Sequence, residues 1–153
     1  MLDVGCGIGD MLVFRPGTVG ADINPHIVEW NKKRGLNVHL IAGEKIPFAD
    51  ATFDCAIMDN VLEHIFEPQT LLAEVRRVLK SNAVFLLGVP GRKGYASDAD
   101  HKVFYDEGAL ETCLKEAGFS MTHTFWMPIR WKWLDTRWSY YFLYGVFRSP
   151  ACK

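Results

Sequence analysis

The chain has 153 residues, a formal net charge of -1 and 49% hydrophobic residues. That length sets one domain, 1–153, as the expectation and allows a substantial core. The near-zero charge removes the broad basic field that nucleic acid attracts, so no nucleic-acid partner is expected. Four cysteines (Cys6, Cys55, Cys113, Cys152) lie far apart with no C-x-x-C pair, and read as reduced thiols. No signal peptide is visible and the longest apolar runs are too short to span a bilayer, so no transmembrane segment and a cytoplasmic location are expected. The five histidines carry no ligand spacing, and no metal site is predicted.

The elements alternate between strand and helix, the pattern of an α/β fold with a parallel sheet. Met1 to Val4 reads as a first strand running into Gly5-Cys6-Gly7-Ile8-Gly9. Glycines there allow positive φ and leave room for a ligand against the backbone. A helix is confined to about Asp10–Phe14, because Pro16-Gly17 stops it. Strand 2 covers Thr18 to Ala21. Asn24 then caps a helix with Pro25 at its first position, closed by Lys32, Lys33, Arg34 and Gly35. Asn37 to Ile41 and Phe53 to Met58 read as strands 3 and 4.

Pro68 opens the clearest helix, with Leu71, Leu72, Val75, Val78 and Leu79 at helical spacing. Ala83 to Val89 is an apolar run suited to a strand covered on both faces. Asp106 caps a helix closed by Gly118. Phe119 to Phe125 and Ser139 to Phe147 complete the set as strands 6 and 7.

In a sheet of this kind, ligands lie across the carboxyl ends of the strands. Asp22 follows strand 2, where a carboxylate can accept hydrogen bonds from a ribose diol. A nicotinamide or flavin site would favour a third glycine at position 10. Asp10 stands there, and its carboxylate would repel a pyrophosphate. The turn therefore favours a ligand without phosphates, against the alternative of a tight turn that holds nothing. The absence of a Tyr-x-x-x-Lys pair also counts against a nicotinamide-dependent oxidoreductase.

The segments Leu2 to Asp10, Ala21-Asp22-Ile23-Asn24-Pro25, 46–54, Val61-Leu62-Glu63-His64, Arg77-Val78-Leu79-Lys80 and Glu116-Ala117-Gly118-Phe119 occur in order. Together they resemble the class I S-adenosylmethionine-dependent methyltransferases, type 11 subgroup, over nearly the whole chain. The resemblance implies a Rossmann-like doubly wound sheet, mostly parallel with an antiparallel last strand. It implies S-adenosyl-L-methionine as cofactor. Asp3, Gly5, Gly7 and Gly9 would surround its methionine portion, with the small Cys6 inside the same turn. Asp22 would hold the ribose and Ile23 would pack on the adenine. The backbone at Gly43 would meet the adenine edge, and Asp59, Asn60 and Val61 would pass near the sulfonium. Ala42 stands where the family usually places an adenine-binding aspartate, which passes that contact to backbone groups or to Glu44. Helices that normally precede the first strand and cover the cofactor are expected to be missing.

Methyl transfer needs a base only if the nucleophile must shed a proton. His64 and His101 are the candidates for that catalytic role, each with a structural reading beside it. Glu63 reads as a solvent-facing or helix-start acid, or as a catalytic one. The acceptor implied is a small molecule, a sugar or a lipid. A catalytically silent binding or scaffold module on the same fold is the alternative. Ten aromatic residues crowd the last thirty positions. They read as a cover over the core, as a substrate lid or lipid-facing patch, or as a homodimer contact.

Overall fold

The computed structural model describes residues 1–43, 45–129 and 131–151. Seven strands form one sheet: β1 (Leu2–Val4), β2 (Val19–Asp22), β3 (Val38–Leu40), β4 (Phe53–Asp59), β5 (Leu79–Pro90), β6 (Ser120–Met127) and β7 (Phe142–Arg148). Their order is β3-β2-β1-β4-β5-β7-β6. The first five are mutually parallel, and β7 runs antiparallel to both β5 and β6. The fold is thus the expected Rossmann-like doubly wound sheet, mostly parallel with an antiparallel last strand. From β1 the chain winds outward through β2 and β3, then returns to the other side of β1 as β4. The strand order reverses there, and a crevice opens at the carboxyl ends of β1 and β4.

Helices α1 (Asp10–Phe14), α2 (Pro25–Lys33), α3 (Gln69–Val78), α4 (Arg92–Tyr95) and α5 (Glu107–Glu116) link the strands. Local chemistry sets their ends. The Asn24 side chain accepts from the His26 and Ile27 N–H groups at the start of α2, and Asp106 accepts from the Ala109 N–H at the start of α5. Gly35 and Gly118 follow α2 and α5 with φ of 77° and 88°, the left-handed turn that favours glycine. Leu72, Val75 and Val78 form the buried stripe of α3 and pack with Phe85, Leu87 and Val89 of β5 in the main core. Arg77, at the end of α3, donates to the Ile46 and Phe48 carbonyls and pairs with Glu74 and Asp50. That one guanidinium holds the segment between β3 and β4 against the sheet.

Element bounds shift where tertiary pairing extends a strand. β5 begins at Leu79, before the expected Ala83, because Leu79 already pairs with Phe53 across a bulge. Asn82, at φ 57°, turns the chain within that bulge. The four residues of α4 were not expected, since Gly94 interrupts any helical signal. Two 3₁₀ turns, Leu62–His64 and Lys132–Leu134, were likewise not expected. The C-terminal aromatics divide. Trp126 stacks on Tyr141 at 4.9 Å inside the core, whereas Trp131, Trp133 and Tyr140 are exposed. Among the described residues no helix is long and apolar enough to cross a membrane.

Candidate active site

The glycine turn after β1 is tied down from two sides. Gly5 and Cys6 donate their N–H groups to the Ala21 carbonyl of β2. From α2, Asn31 Nδ2 donates to the Gly7 carbonyl at 2.7 Å and Arg34 donates to the Ile8 carbonyl at 2.6 Å. Asn31 is fully buried, and no pattern in the sequence marks it. Its polar side chain is stable inside only because it completes hydrogen bonds that the turn requires.

The three glycines of the turn do different work. A Cβ on Gly5 would strike Val61, and one on Gly9 would lie 2.7 Å from Asn31 Oδ1 and 2.8 Å from Leu36. A Cβ on Gly7 would meet nothing within 4 Å. Gly5 and Gly9 therefore let chain segments approach each other, while Gly7 faces open space. Cys6 borders that space, but its side chain packs with Leu12, Val28 and Val38. Burial pushes its thiol up to about 12, so it stays protonated.

Asp22 ends β2 with both carboxylate oxygens aimed at the turns around it. Oδ2 accepts from the Gly7 N–H at 2.9 Å and Oδ1 from the Asn24 N–H at 2.8 Å. Each oxygen keeps a further lone pair for a ligand hydroxyl. A cavity of about 390 Å³ is bounded by Asp3, Gly7, Asp10, Asp59 and Asn60. A second, of about 330 Å³ and mostly apolar, is bounded by Asp22, Ile23, Ile41, Val61 and His64. Gly5 and Asn60 border both, which makes them two halves of one crevice. Asn60 sits there with φ 53°. Ile23 is 72% exposed at the crevice lip, placed to cover a flat ring.

The polar half is acidic. Burial, reinforced by the Asp59 and Asp22 carboxylates, pushes Asp3 up to about 7. Burial also raises Asp59, against the Tyr144 hydroxyl that donates to its Oδ2 at 3.0 Å. Gly88 leaves the room for that contact. Tyr144 is a partner that sequence reasoning missed, because its β-strand alternation resembles that of any strand residue. Among the described residues no lysine or arginine pairs with Asp3, Asp22 or Asp59. Such a pocket is complementary to a cation, and a nucleoside whose tail carries sulfonium and ammonium charges fits it. Gly43 sits in the turn after β3 with φ 65° and open space before it, and Glu44 lies outside the described residues. Neither cavity includes Gly9, Gly43 or His101 among its borders.

His64 and His101 come together although 36 residues intervene between them. Their ring centres lie 4.7 Å apart, and both face Glu63. Glu63 is 1% exposed rather than solvent-facing. Burial pushes its carboxyl up to about 7, and neither oxygen has a hydrogen-bond partner.

Residues 2–87 match the family model described as "Methyltransferase domain", which is more than half of the chain. An uncharacterized protein of Methanocaldococcus jannaschii is 30% identical over 129 residues, 77% of this chain and 63% of that protein. The ubiquinone/menaquinone biosynthesis C-methyltransferase of Desulfotalea psychrophila is 32% identical over 90 residues, 52% of this chain and 37% of that enzyme. The chain thus spans less than two thirds of the length of these relatives. In shape it is similar to a methyltransferase of Thermotoga maritima described as a possible histamine N-methyltransferase. That match has a TM-score of 0.77 and 19% identity, over 97% of this chain and 81% of the other.

Proposed function

This chain belongs to the methyltransferase-domain family, and on that premise we propose that it moves a methyl group from S-adenosylmethionine to a small-molecule, sugar or lipid acceptor by in-line displacement. When bound, the cofactor supplies an electrophilic methyl group and a good leaving group. The observation that carries the reading is the posture of Asp22. Its two oxygens are fixed by the Gly7 and Asn24 N–H groups at the border of the apolar cavity, where a ribose diol would complete their hydrogen bonding. Asp3 and Asp59 then attract the cationic tail, Gly7 leaves space for it, and Ile23 covers the base. The chain's remaining task is alignment and exclusion of water. His64 borders the apolar cavity and stands where an acceptor would approach.

The test is calorimetric titration of the full chain with S-adenosylhomocysteine, followed by a transfer assay with methyl-labelled cofactor across hydroxyl, amine and carbon acceptors. Binding with transfer to at least one class supports the reading. Absence of binding at millimolar ligand overturns it. Binding without transfer to any class would turn it into the silent module.

A pH dependence follows from Asp3. Its folded pKa of about 7 lies above the ordinary aspartate value of 3.8. The folded protein therefore holds this proton more tightly than the unfolded chain. The associated stability is fully present below the unfolded value and is lost as pH rises through 7. Ligand binding has the opposite slope, because only the carboxylate attracts a cation. Affinity for S-adenosylhomocysteine is expected to rise about tenfold from pH ~6 to pH ~8. Asp3→Asn should flatten that profile and raise the melting temperature at high pH. An unchanged profile in the variant would remove Asp3 from the site.

A further inference from the structure

We propose that Glu63, His64 and His101 form a binding site for one divalent first-row transition-metal ion. One carboxylate oxygen and two imidazole nitrogens lie within 4.8 Å of one another. Glu63 Oε1 is 3.8 Å from His101 Nε2 and 4.0 Å from His64 Nε2. An imidazolium–carboxylate pair would close to about 2.7–2.9 Å. Here the three groups stand apart around a common point. A tetrahedral ion with bonds of about 2.0–2.1 Å needs ligand atoms about 3.3 Å apart, which small side-chain rotations supply.

Two further observations point to a cation. The Glu63 carboxylate is buried with both oxygens unpartnered, a costly state that an ion would relieve. The imidazoles are also oriented for ligation. His101 Nδ1 lies 2.9 Å from the Tyr95 carbonyl and His64 Nδ1 lies 3.3 Å from the Asp100 carbonyl. A carbonyl only accepts, so each Nδ1 carries a proton, which leaves Nε2, on the Glu63 side, as the atom available to a metal. Metal-binding histidines are held by outer partners in this way. The backbone fixes the set as well. Lys102 and Val103 N–H groups both donate to the Glu63 carbonyl, at 2.7 and 3.1 Å, and clamp the loop bearing His101 onto the turn bearing Glu63.

Two imidazoles argue against magnesium or calcium, which take oxygen ligands, and suit zinc, iron(II), manganese(II) or cobalt(II). Three protein ligands leave a coordination position free. His64 is 37% exposed and borders the apolar cavity, which provides an entry path. Asp98 Oδ2, on the exposed side, lies 3.9 Å from His101 Nε2 and flanks the ion. The free position would hold an oxygen donor of the acceptor. That role rests on the methyl-transfer reading, whereas metal binding does not.

The test uses the full chain, stripped with a chelator and titrated with cobalt(II) chloride without cofactor, then with zinc chloride in competition. One equivalent of cobalt with visible d–d absorption, displaced by zinc, is expected. His101→Ala and Glu63→Gln should weaken binding by about 100-fold or more, and His26→Ala, on the surface of α2, should leave it unchanged. Zinc should raise the melting temperature of the parent and not of these two variants. His64→Ala, at a partly exposed position, carries the same prediction should the buried variants fail to fold. Absence of stoichiometric binding, or variants that keep the parent's affinity, would overturn the proposal. Neither result depends on methyl transfer.

Discussion

Asp22→Ala is expected to weaken S-adenosylhomocysteine binding by about 100-fold or more. A hydrogen bond to a charged group contributes about 1.5–3 kcal/mol, and two ribose hydroxyls meet this carboxylate in the proposed complex. The substitution also acts on the free protein. It strips the Gly7 and Asn24 N–H groups of their acceptor at a residue only 8% exposed. Leaving buried donors unpaired costs about 1–3 kcal/mol of stability. Calorimetry and urea denaturation on the same preparation separate the two effects. Asp22→Asn sharpens the comparison, since its amide keeps the shape but must turn a donor towards one of those N–H groups. If both variants fold and bind within twofold of the parent, Asp22 does not hold the ligand.

The second large effect separates two glycines of one turn. Gly9→Ala should lower stability by about 2–5 kcal/mol. Its φ of 82° costs a side-chain-bearing residue about 1–2 kcal/mol. Its Cβ would also crowd Asn31 and Leu36, an overpacking that adds about 1–3 kcal/mol. Gly7→Ala meets no neighbour and has φ 48°, so only the backbone cost of about 1–2 kcal/mol applies. Its methyl group would instead occupy the crevice, and affinity for S-adenosylhomocysteine should fall by at least about tenfold. The informative result is the contrast: Gly9→Ala takes the larger loss of stability, while Gly7→Ala takes the loss of binding. A Gly7→Ala variant with full affinity would show that the ligand does not pass over this turn.

Much of this protein is legible without coordinates. Local chemistry writes α2 into the chain through Asn24, Pro25 and Gly35, and α1 through the stop at Pro16-Gly17. These signals act over a few residues, so they survive any tertiary context. The glycine turn and the place of Asp22 after β2 are legible for the same reason, because Gly5, Gly7 and Gly9, all at positive φ, mark a tight turn locally. The bounds of β5 are not, since pairing with β4 and β7 carries it back to Leu79. The roles of the glycines are equally hidden, because Gly5 and Gly9 are required by Val61, Asn31 and Leu36, which only the fold brings near.

The chain order of residues settled the α/β architecture and the acidic end of β2, through periodicity and caps that need no partner. Only three-dimensional packing put His101 beside Glu63 and His64, Asn31 beneath Gly7 and Tyr144 against Asp59. Those contacts join residues from 24 to 85 positions apart. Their energy comes from burial and from hydrogen bonds closed across the sheet, which no local pattern records.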